Sequence, residues 1–215
     1  MIIYVITDRR LRPDLELDRL LETVVRSGAD MVQIREKDLT ANALLRAARA
    51  ARAAGPRTEI YVNGRADVAL AAGVTGVHLP ARGLPASLIR SRWGARLRVG
   101  VSTHSLEEAA AAETMGADLI TFGPVFATES KLSYGPPVGL PALRAVVAAA
   151  RIPVLAIGGI TPDRVAEVVK TGAAGVATIS AVLGAADMAA AVGELRNRGA
   201  GSLAATNAAE GRAAG

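Results

Sequence analysis

The chain has 215 residues, of which 51% are hydrophobic, and it carries a net charge of +5 with no cysteine. This length suits one well-buried core, and the lack of cysteine excludes disulfides and thiolate chemistry. No apolar run approaches the roughly 18 residues that a membrane-spanning helix needs, so we expect no membrane partner. The first residues, MIIYVITDRR, are strand-like and lack a signal-peptide layout, which favours a cytoplasmic location.

Eight short apolar runs alternate with amphipathic segments along the chain. The predicted strands occupy residues 2–7, 30–35, 59–63, 75–79, 97–102, 118–122, 153–157 and 175–179. The predicted helices occupy residues 15–27, 40–54, 65–72, 86–93, 105–115, 139–150, 162–171 and 186–197. This alternation predicts an α/β fold, a single (β/α)8 TIM barrel, with an open doubly wound sheet as the alternative. We expect one domain over 1–197 and a disordered Gly/Ala-rich tail over 198–215.

The basic residues are dispersed along the predicted helices. Arg46, Arg49 and Arg52, for example, lie at helical spacing and are typical of a solvated helix face. We therefore expect no nucleic-acid partner. The positive charge instead suits an anionic small molecule.

The second predicted strand ends in alternating polar residues. Gln33, Arg35 and Lys37 lie at every second position, so strand geometry predicts that they share one face at the barrel mouth. Because unpaired cations are costly to bury, the two basic residues imply an anionic ligand or an internal salt bridge with Glu36 or Asp38.

Two later loops and two histidines also supply candidate groups. The loop after the sixth strand contains Thr128, Ser130 and Lys131, a set that suits a phosphate. Gly158 and Gly159 follow the seventh strand, where such barrels often bind phosphate, although a tight turn also explains glycine there. Two histidines, His78 and His104, end or follow the fourth and fifth strands and are candidate acid/base groups or structural hydrogen bonders.

Seven motifs in chain order carry a family resemblance: YVITDRR, VQIREKD, GVHLP, GVSTHSLEEA, FGPVFATESK, PVLAIGGITPDR and VATIS. They resemble the thiamine phosphate synthase family and its sister branch, the TenI-type thiazole tautomerases. The resemblance implies a (β/α)8 barrel. It also implies that the synthase joins an aminopyrimidine diphosphate, which loses pyrophosphate through a carbocation-like species, to the nitrogen of a thiazole phosphate.

The resemblance and the residue types together give a set of candidate site residues. The candidates are Gln33, Arg35, Lys37, Asn63, Ser102, Thr128 and Ser130 for substrate binding, Ile157, Gly158, Gly159, Ile179 and Ser180 for phosphate binding, and His104, Glu36 and Lys131 for catalysis. No metal ligand is predicted and no cofactor is expected, with Mg²⁺ implied only for a synthase.

The sequence departs from the synthase pattern at the metal ligands. The synthase has aspartates where this chain has Gly64 and Gly83, and glycine offers no side-chain oxygen to Mg²⁺. Asp67 lies one helical turn after Gly64, at a spacing that the pattern does not use. The stretches NGRADVAL and HLP instead resemble the TenI branch. However, Pro124 stands where that branch has its acid/base histidine, so His104 or Glu36 would have to take that role.

Three functions fit these observations. The first is a metal-independent thiazole tautomerase, an isomerase that aromatises a thiazole carboxylate phosphate. The alternatives are a thiamine phosphate synthase, a transferase with an altered metal site, and a non-catalytic or regulatory binder of thiazole or thiamine phosphate. We expect a thiazole phosphate ligand in each case, an aminopyrimidine diphosphate in the second, and a possible homodimer or other homo-oligomer.

Overall fold

The fold is described from a computed structural model that covers residues 1–128 and 136–213. Eight parallel strands form a closed barrel in the order β1 to β8, with β1 paired to β8. The strands are β1 Ile2–Ile6, β2 Met31–Ile34, β3 Glu59–Asn63, β4 Gly76–Leu79, β5 Arg98–Thr103, β6 Leu119–Phe122, β7 Val154–Ile157 and β8 Gly175–Thr178. The closed barrel confirms the (β/α)8 prediction and excludes the open sheet.

Helices cover the outside of the barrel. They are α1 Leu17–Arg26, α2 Ala41–Ala54, α3 Ala66–Ala72, α4 Ala86–Trp93, α5 Leu106–Thr114, α6 Gly139–Ala149, α7 Pro162–Val169, α8 Ser180–Leu183 and α9 Met188–Ala213. Two 3-10 turns, Arg9–Leu11 and Gly94–Arg96, complete the described structure. No helix of the described residues is long and apolar enough to cross a membrane.

The last helix differs from the sequence prediction. Helix α9 continues through most of the stretch 198–215, for which we expected a disordered tail. Alanine is the strongest helix former, and this stretch is rich in it, so local propensity accounts for the continuation.

Two apolar layers hold the barrel together because strand side chains alternate between its two faces. The larger layer packs the outward side chains of the strands, such as Ile3, Val32 and Val176, against the helices. The smaller layer fills the barrel interior with Tyr4, Ile6, Met31, Tyr61, Leu119, Leu155 and Ala177. These side chains fill the barrel interior and support the carboxyl ends of the strands from below.

Candidate active site at the carboxyl ends of the strands

Several candidate residues line a cavity of about 220 Å³ where β2 and β3 end. Its lining residues are Ile34, Glu36, Lys37, Leu39, Leu44, Asn63, Gly64 and Arg65. Three of the predicted site residues, Glu36, Lys37 and Asn63, therefore meet in one cavity. The cavity lies at the end of the barrel where enzymes of this fold carry their active sites.

The three polar residues in and after β2 are buried to different degrees. Gln33 is inside the strand and only 2% exposed, Arg35 is half-buried, and Lys37 is exposed in a turn. Because β2 ends at Ile34, the strand periodicity that we used to place all three on one face does not extend to Lys37. Arg35 and Lys37 form no ion pair in the described parts of the chain, so the predicted salt bridge with Glu36 or Asp38 is wrong.

A different arginine neutralises these carboxylates. Arg9, in the 3-10 turn after β1, donates from its backbone nitrogen (3.1 Å) and from Nη1 (3.0 Å) to Glu36. The same guanidinium contacts Asp38 and holds the pKa of that carboxyl at about 2. The Glu36 side chain is 3% exposed. Glu36 thus has a structural partner, and its role as an acid/base stays a prediction.

The loop after β7 packs directly on the loop after β6. Gly158 and Gly159 both have positive φ, +97° and +63°. A Cβ at Gly158 would lie 2.5 Å from the Cα of Pro124, and one at Gly159 would lie 2.6 Å from the carbonyl oxygen of Ala127. Backbone conformation and close approach therefore require both glycines, which supports the tight-turn explanation. Phosphate binding at this turn stays a prediction.

The remaining phosphate and loop candidates lie nearby. Ile157 ends β7 half-buried, and its carbonyl accepts a hydrogen bond from the backbone nitrogen of Val125 (2.8 Å). Ile179 is half-buried and Ser180 is exposed, both directly after β8. Thr128 is half-buried at the end of the described part of the β6 loop. Ser130 and Lys131 lie outside the described residues.

His104 is fixed against the end of β6. Its Nδ1 donates to the carbonyl oxygen of Gly123, the residue before Pro124, so this ring nitrogen carries the proton. Its backbone nitrogen donates to Glu108 (2.6 Å), whose own backbone nitrogen donates to Ser105 (3.2 Å). The capping residues of α5 therefore hold His104 at the mouth, and its acid/base role stays a prediction.

His78 is a buried hydrogen bonder beneath the mouth. It is 1% exposed, and burial lowers the pKa of its imidazole to about 3. Its Nδ1 lies 3.3 Å from the Tyr4 hydroxyl and its Nε2 lies 3.0 Å from Ser102 Oγ. A group with this pKa stays neutral at physiological pH, so the structural alternative fits His78 better than the acid/base alternative.

The side chains at these positions do not fit the Mg²⁺ site of the synthase that the sequence resembles. Gly83 lies in a tight turn where a Cβ would come within 2.9 Å of Pro80. Asp67 is held by Arg65 through bonds of 2.9 and 2.6 Å. Within the described ranges no group of three or more His, Cys, Asp or Glu side chains could hold a metal ion. At positions 64 and 83 the carboxylates that Mg²⁺ prefers are thus missing, and the Asp67 carboxylate is already paired with arginine.

Some residues near the carboxyl ends of the strands were not predicted from the sequence. Arg9 pairs with Glu36 although 27 residues separate them, and no local pattern marks such a pair. Arg164 donates to the carbonyl oxygen of Gly159 (2.7 Å) and stacks on Phe126, which braces the glycine turn. Tyr4 could have been found, because alternation places it on the inner face of β1.

The fold and the placement of these side chains define a (β/α)8-barrel protein with its polar groups gathered at the carboxyl ends of the strands. This is the arrangement of a barrel enzyme.

The chain belongs to the thiamine monophosphate synthase (TMP-TENI) family, which matches residues 3–182. This membership connects the protein with thiamine biosynthesis. It is 44% identical over 199 residues to the thiamine-phosphate synthase of Moorella thermoacetica, covering 90% of this chain and 93% of that one. It is 49% identical over 170 residues to the thiamine-phosphate synthase of Anaeromyxobacter dehalogenans, covering 79% and 77%.

Solved structures agree with this family. The thiamine phosphate pyrophosphorylase from Pyrococcus furiosus superposes with a TM-score of 0.84 at 37% identity, covering 94% of this chain and 96% of that one. A 3-hexulose-6-phosphate synthase superposes with a TM-score of 0.72 at 24% identity, covering 92% and 99%, and this likeness supports the fold alone.

Proposed function

We propose that the protein is a thiamine-phosphate synthase, a transferase that joins an aminopyrimidine diphosphate to a thiazole phosphate and releases pyrophosphate. This proposal favours the second of the three functions drawn from the sequence over the tautomerase. Relatives that are 40–49% identical and named thiamine-phosphate synthase support it. Pro124 supports it as well, because proline cannot transfer the proton that a tautomerase moves.

The observation that carries the proposal is the basic pair after β2. Arg35 and Lys37 follow the strand that bears Gln33, and neither forms an ion pair in the described parts of the chain. Lys37 also lines the cavity. Two cations at the mouth of a barrel suit a diphosphate, because an arginine fork and a lysine ammonium both bind phosphate oxygens.

The chemistry asks the protein to stabilise a leaving anion. The carbon–oxygen bond to the diphosphate breaks, its electron pair leaves with pyrophosphate, and the thiazole nitrogen forms the new carbon–nitrogen bond. Arg35 and Lys37 counter the charge that develops on pyrophosphate, and pre-positioned cations of this kind contribute strongly to catalysis. The half-buried Asn63 and Ser102 lie at or next to the ends of β3 and β5, and we expect them to contact a bound pyrimidine or thiazole.

The test is pyrophosphate release from the two substrates together, followed by a comparison of the affinities of Arg35→Gln and Arg46→Gln for inorganic pyrophosphate. Arg46 is an exposed arginine on α2 without a described partner, and Arg46→Gln removes the same charge from a side chain that does not line the cavity. Loss of one charge-assisted hydrogen bond, about 1.5–3 kcal/mol, predicts roughly tenfold to hundredfold weaker binding of inorganic pyrophosphate in Arg35→Gln alone. Equal affinities in the two variants would contradict the assignment of Arg35.

The metal-independent tautomerase is the second candidate, and Gly64 and Gly83 favour it. Aromatising a thiazole carboxylate phosphate moves protons and needs no metal, so a chain with this function would have no use for the two aspartates. In that case His104 carries the proton. Wild-type exchange of solvent deuterium into thiazole phosphate that is lost in His104→Gln, with no pyrophosphate release, would favour this function over the synthase.

A further inference from the structure

Five polar side chains form a continuous hydrogen-bonded chain across the barrel interior. Gln33 Nε2 donates to the Tyr4 hydroxyl (3.1 Å), which lies 3.3 Å from His78 Nδ1. On the other side of the imidazole, Nε2 lies 3.0 Å from Ser102 Oγ. Thr121 Oγ1 lies 3.5 Å from both the imidazole Nε2 and Ser102 Oγ. This hydrogen-bonded chain therefore joins two predicted substrate-binding residues, Gln33 and Ser102, through Tyr4 and His78.

The hydrogen bonds of this hydrogen-bonded chain can run in only two consistent directions. Burial raises the pKa of the Tyr4 hydroxyl far above its usual range, so this group keeps its single proton. Burial also keeps His78 neutral, and a neutral imidazole has one donor and one acceptor. Once the Tyr4 proton points to one neighbour, the donor in the hydrogen bond between His78 Nε2 and Ser102 Oγ is determined.

The geometry selects one of these directions. Because Gln33 Nε2 donates to the Tyr4 oxygen, the Tyr4 proton is left to donate to His78 Nδ1. His78 then carries its own proton on Nε2 and donates it to Ser102 Oγ. Ser102 Oγ thereby accepts its bond from within the barrel, and its own proton remains available to a ligand.

At the Gln33 end of the hydrogen-bonded chain, the amide oxygen is an acceptor. Gln33 Oε1 receives no hydrogen bond from the described residues. Among those residues no side-chain polar atom is fully enclosed without a partner. An acceptor at this position matches the exocyclic amino group of a pyrimidine. It disfavours the binding of an oxopyrimidine, because that compound places a carbonyl oxygen, a second acceptor, at the same position.

We propose that Tyr4 and His78 are positioning residues that lock the Gln33 amide with its oxygen toward the substrate and thereby select an aminopyrimidine over an oxopyrimidine. This inference rests on the proposed function, since it requires a pyrimidine at Gln33. Tyr4 and His78 act through Gln33 and Ser102 and do not touch the substrate themselves.

The first experiment measures the dissociation constants of an aminopyrimidine monophosphate and of its oxo counterpart by calorimetry. The wild type should prefer the amino compound by roughly a hundredfold, because the oxo compound leaves a buried acceptor facing another acceptor. In Tyr4→Phe the amide rotates freely, and the preference should fall to less than about tenfold.

Tyr61→Phe is the matched control. Tyr61 packs against Tyr4 edge to ring, but its hydroxyl donates to Glu59 (3.0 Å) at the opposite end of β3. Tyr61 pairs with Gln33 in the β2–β3 register, but this variant removes a hydroxyl that forms no described hydrogen bond with Gln33, so it should keep the wild-type preference. An unchanged preference in Tyr4→Phe, or an equal loss in Tyr61→Phe, would overturn the proposal.

The second experiment needs no substitution in the chain of hydrogen bonds. The protein has two histidines, so ¹⁵N spectra of the wild type and of His104→Gln assign the His78 resonances. A protonated Nε2 with an unprotonated Nδ1 is expected, and the reverse tautomer would overturn the proposal. If neither pyrimidine binds, the proposed function and the substrate selection fail together, while the tautomer still decides the direction of the hydrogen bonds.

Discussion

The glycine turn after β7 permits a quantitative test of the mouth. Gly159 and Gly64 have nearly the same positive φ, +63° and +66°. Their surroundings differ, because no atom of the described residues lies within 4 Å of a Cβ built on Gly64. At Gly159 such a Cβ would lie 2.6 Å from the Ala127 carbonyl oxygen and 2.8 Å from Phe126 Cβ. Comparing alanine at the two positions therefore separates conformational strain from steric overlap.

The expected magnitudes follow from these distances. A left-handed conformation costs an L-residue roughly 1–2 kcal/mol, and replacing glycine recovers about 0.4–1 kcal/mol from the unfolded chain. Gly64→Ala should therefore lower the free energy of unfolding by about 1 kcal/mol. Gly159→Ala meets the same strain and adds an overpacking cost of about 1–3 kcal/mol, for a total of about 2–4 kcal/mol.

Urea unfolding of both variants measures this difference. A loss in Gly159→Ala that exceeds the loss in Gly64→Ala by at least about 1 kcal/mol is expected. Equal losses would refute the claim that the β6 loop packs against the turn. A loss of phosphate affinity in Gly159→Ala would have to be judged beside this destabilisation, because the turn supports the mouth as well as any ligand.

Two further predictions concern buried charge. Arg9→Met leaves the buried Glu36 carboxylate with only the backbone N–H of residue 9 and without its cation, and it should lower the free energy of unfolding by about 2–3 kcal/mol, whereas Arg10→Met, at an 81% exposed side chain, should change it by less than about 0.5 kcal/mol. Similar effects in urea unfolding would contradict the ion pair. The pKa of His78 is about 3 in the folded chain and 6.5 in the unfolded chain, so only the unfolded chain gains this proton as the pH falls below 6.5. Stability should therefore fall toward acid by about 1.4 kcal/mol per pH unit from this group. His78→Gln should remove that part of the slope between pH 6.5 and 4, and an identical slope in both proteins would show that His78 is not buried.

Local pattern was enough to predict the barrel. Each strand begins and ends within one residue of its prediction, because a strand buried on both faces gives a short β-branched run such as VLAI. The one-turn helix Ser180–Leu183 was not predicted, since four residues are too few for a periodic signal. The last helix was predicted to end at residue 197, because the stretch that follows is polar and rich in glycine and alanine, whereas the structure continues it to Ala213.

The candidate site was only partly predictable. Strand ends indicated which residues gather at the mouth, and Asn63, Glu36 and Lys37 do meet in one cavity. The partner of Glu36 was not predictable, because Arg9 comes from a neighbouring strand end and closed-barrel geometry alone brings it near. The role of His78 depended on its burial, which a single sequence gives no means to measure.

The central claim is that this chain forms the bond between pyrimidine and thiazole. The most direct test incubates an aminopyrimidine diphosphate with a thiazole phosphate and counts both products, with Mg²⁺ and with a chelator. Thiamine phosphate and pyrophosphate that appear in equal amounts, and only when both substrates are present, are the result that the account predicts. Neither product under either condition, with thiazole phosphate still bound, would contradict it and leave the tautomerase or a binding protein.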